Sequence, residues 1–283
     1  GNLDVRRLSV DKLIDSKFFA KGKIDNFGEV PKATELSLNV KTNGLNRLLR
    51  FVGLNSNPVL KGVGDVEFYG QIDGPILSPK VKLNLNSLGS TAEVSGQLDG
   101  LSIIPAVKGL KFQIKSKDAS KLLKLAGIKA ITAKQLGALD VGGEINGELI
   151  APSLAFKIKA MGGSATGSGK INTLPIGDAL DLSIHVRHPE FANFLRVVSG
   201  YNSASKLGRL DIQGRLNGGL ENVSMTGMIA KAGNVDLRGD LEVGFGGLRP
   251  QINANLTGKN IVIDKFLPRN NRSSYKLFYF SNI

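Results

Sequence analysis

Residues 16–53 read SKFFAKGKIDNFGEVPKATELSLNVKTNGLNRLLRFVG, and residues 90–127 repeat their pattern without a gap as STAEVSGQLDGLSIIPAVKGLKFQIKSKDASKLLKLAG. Glycine, aspartate, proline and leucine positions coincide at an offset of about 74 residues. Further copies, with small insertions and deletions, begin near Leu182 and Ile252. A chain that stacks one unit forms extended surfaces in preference to a single enclosed pocket, so this repeat decides the fold class.

Each unit is predicted to contain one strand, one short helix and then three further strands. The first strand alternates apolar and polar residues, as in residues 36–40 (LSLNV), so its apolar side chains share one face. A short helix is predicted at 45–51, 119–125 and 191–198, where paired apolar residues precede a glycine. Strands interrupted by glycine and joined by Gly-containing turns complete the unit.

The predicted fold is mainly β: an elongated, curved antiparallel sheet, shaped as a trough or half-barrel, built from repeats of about 70–75 residues with one short helix each. We expect a single elongated domain over residues 1–268, followed by an irregular C-terminal tail at 269–283. The units fall near 1–35 (partial), 36–109, 110–181, 182–251 and 252–268 (partial).

The composition limits the classes of function. The net charge is +13, but Lys and Arg are spread along the chain at alternate positions of the strands, which indicates a solvated basic face. A sequence pI near 9.8 keeps nucleic acid as an alternative. The repeats lack both aromatic residues interleaved with basic ones and a long basic helix, so no nucleic-acid partner is expected. The absence of cysteine excludes disulfides, thiol nucleophiles and cysteine-bound metals.

Two apparent sites are better explained by the repeat. Residues 163–170 (GSATGSGK) resemble a phosphate-binding loop, but Ser164 stands where that motif needs glycine and Ile171 where it needs Ser or Thr. The histidines, His185 and His188, fall on the polar side of a strand and in the turn before a helix, so both are predicted to lie at the surface. No catalytic residue, metal or cofactor is expected, and the chain is predicted not to be an enzyme.

The pattern resembles the AsmA-like family, the AsmA, TamB and YhdP type of periplasmic bridge-like lipid transfer protein. The resemblance rests on residues 36–53, 110–127, 182–200 and 260–268, and is strongest to the C-terminal AsmA-type repeat region. It implies a periplasmic protein of Gram-negative bacteria, held in the inner membrane by one N-terminal helix. It also implies a long curved sheet with an apolar inner wall, phospholipid transport and outer-membrane biogenesis. Because the chain has no initiator Met and opens inside a patterned segment, we expect it to be a piece of a longer protein with its anchor upstream.

The resulting hypothesis is a non-enzymatic segment whose hydrophobic groove shields phospholipid acyl chains on their way to the outer membrane. Its expected partners are acyl chains, the inner membrane through that anchor, and an outer-membrane or envelope protein. The alternative is a structural or chaperone-like β scaffold that assists outer-membrane protein assembly, with a core filled by its own side chains. The predicted groove residues are Leu36, Leu38, Val40, Leu83, Leu85, Val94, Leu98, Phe112, Ile114, Phe156, Ile158, Ile184 and Val186.

Overall fold

The structure is a computed structural model and shows a mainly β chain with a few short helices, as predicted. The three helices described are α1 (Leu45–Phe51), α2 (Ser120–Leu125) and α3 (Phe191–Ser199). The residues described are 1–13, 15–26, 30–51, 63–100, 104–125, 137–172, 179–199, 207–219, 222–244 and 251–259.

Fifteen strands form one open sheet, and their order in the sheet is their order along the chain. Every pair of neighbours is antiparallel, and among the described residues all the extensive contacts between elements join consecutive strands. The strands are β1 Leu3–Leu13, β2 Ser16–Asp25, β3 Lys32–Thr42, β4 Val66–Pro75, β5 Lys80–Ser87, β6 Ser90–Asp99, β7 Ala106–Ser116, β8 Leu139–Glu148, β9 Ser153–Ala160, β10 Gly163–Ile171, β11 Leu180–His188, β12 Leu210–Gly218, β13 Asn222–Ala232, β14 Val235–Gly244 and β15 Gln251–Lys259.

The helices follow β3, β7 and β11, close to their predicted positions. Helix α1 has the predicted bounds, while α2 begins one residue later and α3 ends one residue later than expected. The glycines expected to end the helices, the segment 260–268 and the tail 269–283 lie outside the described residues.

Tight turns set the register of the hairpins. Leu88 and Gly89 have φ values of 55° and 73°, and the flanking Ser87 and Ser90 pair directly. Positive φ at both central residues defines a type I′ turn, whose twist matches that of antiparallel strands. A turn of this kind brings the next strand back beside the previous one, which is why the sheet grows in chain order.

The sheet has two chemically different faces, because successive side chains of a strand point to opposite sides. On one side the register aligns Leu83 with Val94 and Val94 with Phe112; we call this side the apolar face. On the other side it aligns Asn84 with Glu93; we call that side the polar face. This assignment can be followed from β1 to β15 through the register of each pair.

Bulges preserve the two faces where the alternation of the sequence fails. In β7, Val107 and Leu110 are three residues apart, yet both lie on the apolar face because their partners in β8, Gly147 and Ile145, are two apart. The extra residue in the β7 strand is a β-bulge, which bends a strand and increases its twist. Bulges of the same spacing occur in β3.

A glycine at the same position of two repeat units allows neighbouring strands to approach closely beside such a bulge. A Cβ built on Gly96 would lie 2.6 Å from Cα of Leu110, and one built on Gly22 would lie 2.5 Å from Cα of Leu36. Backbone atoms cannot retreat as a flexible side chain can, so only glycine fits at these positions.

Replacing Gly96 by alanine is therefore expected to lower the free energy of unfolding by about 2–3 kcal/mol, because β6 and β7 must separate. The matched control is Gly64→Ala, since a Cβ at Gly64 meets no atom within 4 Å. Urea unfolding followed by circular dichroism measures both changes. Equal effects at the two glycines would contradict the close approach of the backbones.

Candidate functional site

The structure places all the predicted groove residues on the apolar face of the sheet. They come from six strands that the sequence separates widely, and the ladder of strand pairs brings them onto one continuous surface. The set is Leu36, Leu38 and Val40 on β3, Leu83 and Leu85 on β5, Val94 and Leu98 on β6, Phe112 and Ile114 on β7, Phe156 and Ile158 on β9, and Ile184 and Val186 on β11.

One line of directly paired residues crosses the apolar face at mid-strand, and we call it the central row. Since adjacent strands lie about 4.8 Å apart, a row over twelve strands is roughly 50 Å long. It contains no polar side chain. Its members from β1 to β12 are Leu8, Ala20, Leu38, Gly70, Leu83, Val94, Phe112, Gly143, Phe156, Gly167, Ile184 and Gly214.

The phenyl rings of the central row lie across its glycines. A Cβ on Gly143 would be 2.7 Å from Cζ of Phe112, and a Cβ on Gly167 would be 2.5 Å from Cζ of Phe156. The rings occupy the space that side chains would fill, so the surface here is low and apolar instead of ridged. The glycines recur visibly in the sequence, but their position on this face follows only from the register of the strands.

The apolar face remains partly open to solvent at mid-strand. Among the predicted groove residues only Val40 is buried, at 7% exposure, while Leu38 and Leu85 are each 39% exposed. The remaining members are half-buried, apart from Leu98 at 37%. An extended apolar surface that keeps exposed area, as this one does within the described part of the chain, is typical of a binding surface.

A different environment is found at the end of the strands where the helices begin. The side chains of Ser16, Thr42, Ser90, Ser116 and His188 are all buried there, on the apolar face. The side chains near this edge therefore form a structural core that anchors the strand ends, and the open part of the apolar face lies away from it.

At the first two of these strand-to-helix junctions, the buried hydroxyl groups form hydrogen bonds with each other in pairs. The Ser16 hydroxyl donates to Oγ1 of Thr42 at 2.8 Å, and the Gly44 N–H donates to the same Thr42 oxygen at 3.0 Å. At the second junction the Ser90 hydroxyl donates to Oγ of Ser116 at 2.9 Å. These bonds satisfy polar groups that would otherwise be buried without partners.

The third junction uses His188 in place of a hydroxyl, which corrects the prediction that this histidine lies at the surface. His188 is the last residue of β11 and is only 3% exposed. Its Nδ1 accepts a hydrogen bond from the Glu190 N–H at 3.0 Å, so Nε2 carries the proton and donates to the Met161 carbonyl at 2.8 Å. Gly163, directly opposite in β10, leaves the space that the ring needs.

The polar face carries paired charges near the solvent. Lys41 lies 2.8 Å from Glu67, and Arg215 donates two hydrogen bonds to Asp181 at 2.6 and 2.8 Å. The hydrogen bond from Arg215 lowers the pKa of the Asp181 carboxyl and outweighs the opposing effect of desolvation. His185 lies on this face, as predicted, with Nε2 2.6 Å from Asp211.

The polar face also contains a depression of about 660 Å³ that extends over β5–β10. Its walls mix basic and acidic side chains, including Lys111, Lys157 and Glu144. Within the described parts of the chain, no group of three or more His, Asp or Glu side chains is placed to hold a metal ion. The glycine-rich segment that resembles a phosphate-binding loop forms the regular strand β10, with Gly169 and Lys170 inside it.

Comparison of the chain with family models, with curated proteins and with solved structures found no match. In the described ranges no helix is both long and apolar enough to cross a membrane.

Truncating His188 to alanine should lower the free energy of unfolding by about 2–4 kcal/mol, because the Glu190 N–H and the Met161 carbonyl lose their partner and a cavity forms. His185→Ala is the matched control, since it removes the same side chain from the polar face and should cost less than about 1 kcal/mol. Thermal unfolding of both variants distinguishes the two environments. Equal losses of unfolding free energy in the two variants would contradict the burial of His188 at this junction.

The Asp181–Arg215 pair predicts a dependence of stability on pH. Since the folded state lowers the pKa of Asp181, the pair contributes stability above the ordinary pKa of 3.8, and this contribution is lost as the pH falls through the lower folded value. Asp181→Asn should lower the urea midpoint at pH 7 but leave it unchanged in strong acid. Arg215→Gln should lower the urea midpoint at pH 7 and leave it unchanged in strong acid in the same way. A difference from the wild type that persists in acid would show another cause.

Proposed function

We propose that this chain is a non-enzymatic segment of a periplasmic protein of the AsmA-like family, anchored in the inner membrane of a Gram-negative bacterium. Its apolar face shields the acyl chains of phospholipids during transport to the outer membrane and outer-membrane biogenesis. In this proposal the sheet curves into a trough of repeated units, and the central row is the floor of the groove. The partners are acyl chains, the inner membrane through an anchor outside this chain, and an outer-membrane or envelope protein.

The observation that carries the proposal is the continuous apolar face, whose described residues keep exposed surface at mid-strand. Leu38 and Leu85 are each 39% exposed, although the residues paired with them on both neighbouring strands, Ala20 and Gly70 for Leu38 and Phe68 and Ala92 for Leu85, are all apolar. An acyl chain has no hydrogen-bonding groups, so it is compatible with a surface that offers none. At about 0.8 kcal/mol per buried CH₂, one long acyl chain gains on the order of 10 kcal/mol from such a surface.

The flat floor made by Phe112 and Phe156 also favours an extended, unbranched ligand. Gly143 and Gly167 have no side chain of their own, and the rings of Phe112 and Phe156 occupy the space beside them. A chain of methylene groups can therefore lie over these rings and contact the apolar side chains of the neighbouring strands. No reacting group is needed for this role.

The scaffold alternative makes a different demand on the same face. A self-filled core requires the apolar residues at mid-strand to be buried, as Val66 and Leu210 are near the helices, at 4% and 3% exposure. The exposure of Leu38, Leu85 and Leu98 favours an external ligand over a self-filled core.

The test adds charge to one face at a time. The double variant Leu38→Asp, Leu85→Asp places two carboxylates on the apolar face at exposed positions, so the fold is retained while acyl chains meet unpaired charges. The matched control is Asn39→Asp, Asn84→Asp, which adds the same charge to the polar face on the same strands. The readouts are native mass spectrometry for co-purified phospholipid and uptake of a fluorescent phospholipid from vesicles of phosphatidylethanolamine and phosphatidylglycerol.

The wild type and the Asn39, Asn84 variant should carry and take up phospholipid, and the Leu38, Leu85 variant should lose at least about tenfold in uptake. Circular dichroism checks that all three proteins fold. A folded wild type that carries no lipid and takes up none would overturn the proposal. If a charge on the apolar face unfolds the protein while the same charge on the polar face does not, the self-filled scaffold is favoured.

A further inference from the structure

The polar face of strands β2–β5 carries two aromatic rings. Phe19 on β2 pairs with Asn39, which pairs with Tyr69 on β4, so the two rings share one row and lie two strands, or about 10 Å, apart. Tyr69 is 37% exposed. In the described strands no other Phe or Tyr lies on the polar face. Aromatic side chains held near solvent on a polar surface are typical of a contact surface.

Lysines surround this row of aromatic residues. Lys17 and Lys21 lie on either side of Phe19 along β2, and Lys82 lies on β5 in the row next to Tyr69. All three lysines are exposed, and none of them forms an ion pair within the described part of the chain. We call this surface the aromatic–basic patch; it consists of Lys17, Phe19, Lys21, Tyr69 and Lys82.

The charges at this patch are arranged differently from those farther along the polar face. Lys17 lies directly opposite Lys41, and like charges in this position destabilise a sheet. Farther along the same row of paired residues, Asp140 lies between Lys115 and Lys159, so that each of these lysines faces a carboxylate. Two lysines that the sheet sets against each other favour an anionic partner, which would remove their repulsion.

The environment of Phe19 favours lipid headgroups over nucleic acid as that partner. The guanidinium carbon of Arg7 lies over the Phe19 ring, 5.9 Å from its centroid. A nucleic-acid base would need this ring face for stacking. Lipid phosphates need no free ring face, because they bind to lysine and arginine side chains directly. The apolar ring and polar hydroxyl of Tyr69 also suit the boundary between headgroups and acyl chains.

We propose that the aromatic–basic patch docks this chain on the surface of an anionic bilayer such as one of phosphatidylglycerol. The polar face lies against the headgroups at β2–β5, and the apolar face points away from the bilayer. Each of these four strands has a neighbour on both sides, so a strand added at either edge of the described sheet would not cover the patch. This inference does not depend on what the apolar face binds.

Removal of the unpaired charges tests the patch. The double variant Lys17→Gln, Lys21→Gln changes two exposed side chains, so the fold is retained. The matched control is Lys157→Gln, Lys159→Gln, which removes the same charge from exposed positions of the polar face on β9. In co-sedimentation of the full chain with phosphatidylglycerol vesicles, the first variant should bind about tenfold more weakly than the wild type, and the control less than about threefold more weakly.

A fluorescent reporter tests which part of the polar face meets the bilayer, because the chain has no tryptophan of its own. Tyr69→Trp places a single tryptophan in the aromatic–basic patch. Gln213→Trp is the matched control, at an exposed position of the polar face on β12. Phosphatidylglycerol vesicles should shift the emission of the first variant to shorter wavelengths, and brominated acyl chains should quench it. The emission of the control should stay unchanged.

The wild type should bind phosphatidylglycerol vesicles at low salt, release them at high salt and not bind phosphatidylcholine vesicles. No binding to phosphatidylglycerol at low salt would overturn the proposal. Equal losses from the two lysine pairs would show that only the net charge attracts the bilayer, and an unchanged emission of Tyr69→Trp would place the contact elsewhere. Either result rejects the patch.

Two further outcomes separate this docking from other kinds of binding. A single-stranded oligonucleotide that binds through Lys17 and Lys21 while vesicles do not bind would overturn the proposal in favour of nucleic acid. The Leu38→Asp, Leu85→Asp variant should bind vesicles as the wild type does, even if it takes up no lipid. Vesicle binding that this variant loses and the Lys17, Lys21 variant keeps would assign the contact to the apolar face and reject the docking.

Discussion

The hydrogen-bonded pairing of each strand with the next one along the chain is the constraint on which this structure depends. It joins fifteen strands into a single sheet without a crossover. Because paired residues share a face, one fixed register is enough to gather apolar side chains from widely separated segments. A slip by one residue in any pair would turn a whole strand over and interrupt the apolar face. The glycines beside the bulges protect the register, since they let β6 meet β7 closely at Gly96.

Two regions of the apolar face differ in how deeply their side chains are buried. At the strand ends beside the helices, side chains such as Val66, Leu210 and His188 are buried and their polar groups are bonded. At mid-strand the apolar side chains keep exposed surface and rest on their neighbours in the sheet. A charge introduced in the first region would disrupt the packing, whereas a charge introduced in the second region would change the exposed surface. If the proposed function is right, stability and lipid binding can therefore vary independently.

Much of this arrangement could be predicted from the sequence, because alternation with period two records which side chains share a face. It placed Leu83, Phe112 and Ile184 together although their strands are far apart in the chain. Alternation fails at the bulge between Val107 and Leu110, where an extra residue shifts the pattern. His188 was misplaced because its burial depends on Gly163, a partner that only the register of β10 reveals. The exposure of Leu38 and Leu85 could not be predicted either, because alternation identifies which side chains share a face but not what covers that face.

The chain-order topology has a consequence for how the molecule forms. Every strand finds its partners in the segments just before and just after it, so the loops that must close are short compared with the chain. Such a sheet can assemble progressively as the polypeptide emerges, each hairpin docking on the edge left by the one before. No early segment has to wait for a distant one, and the growing end always presents a fresh edge.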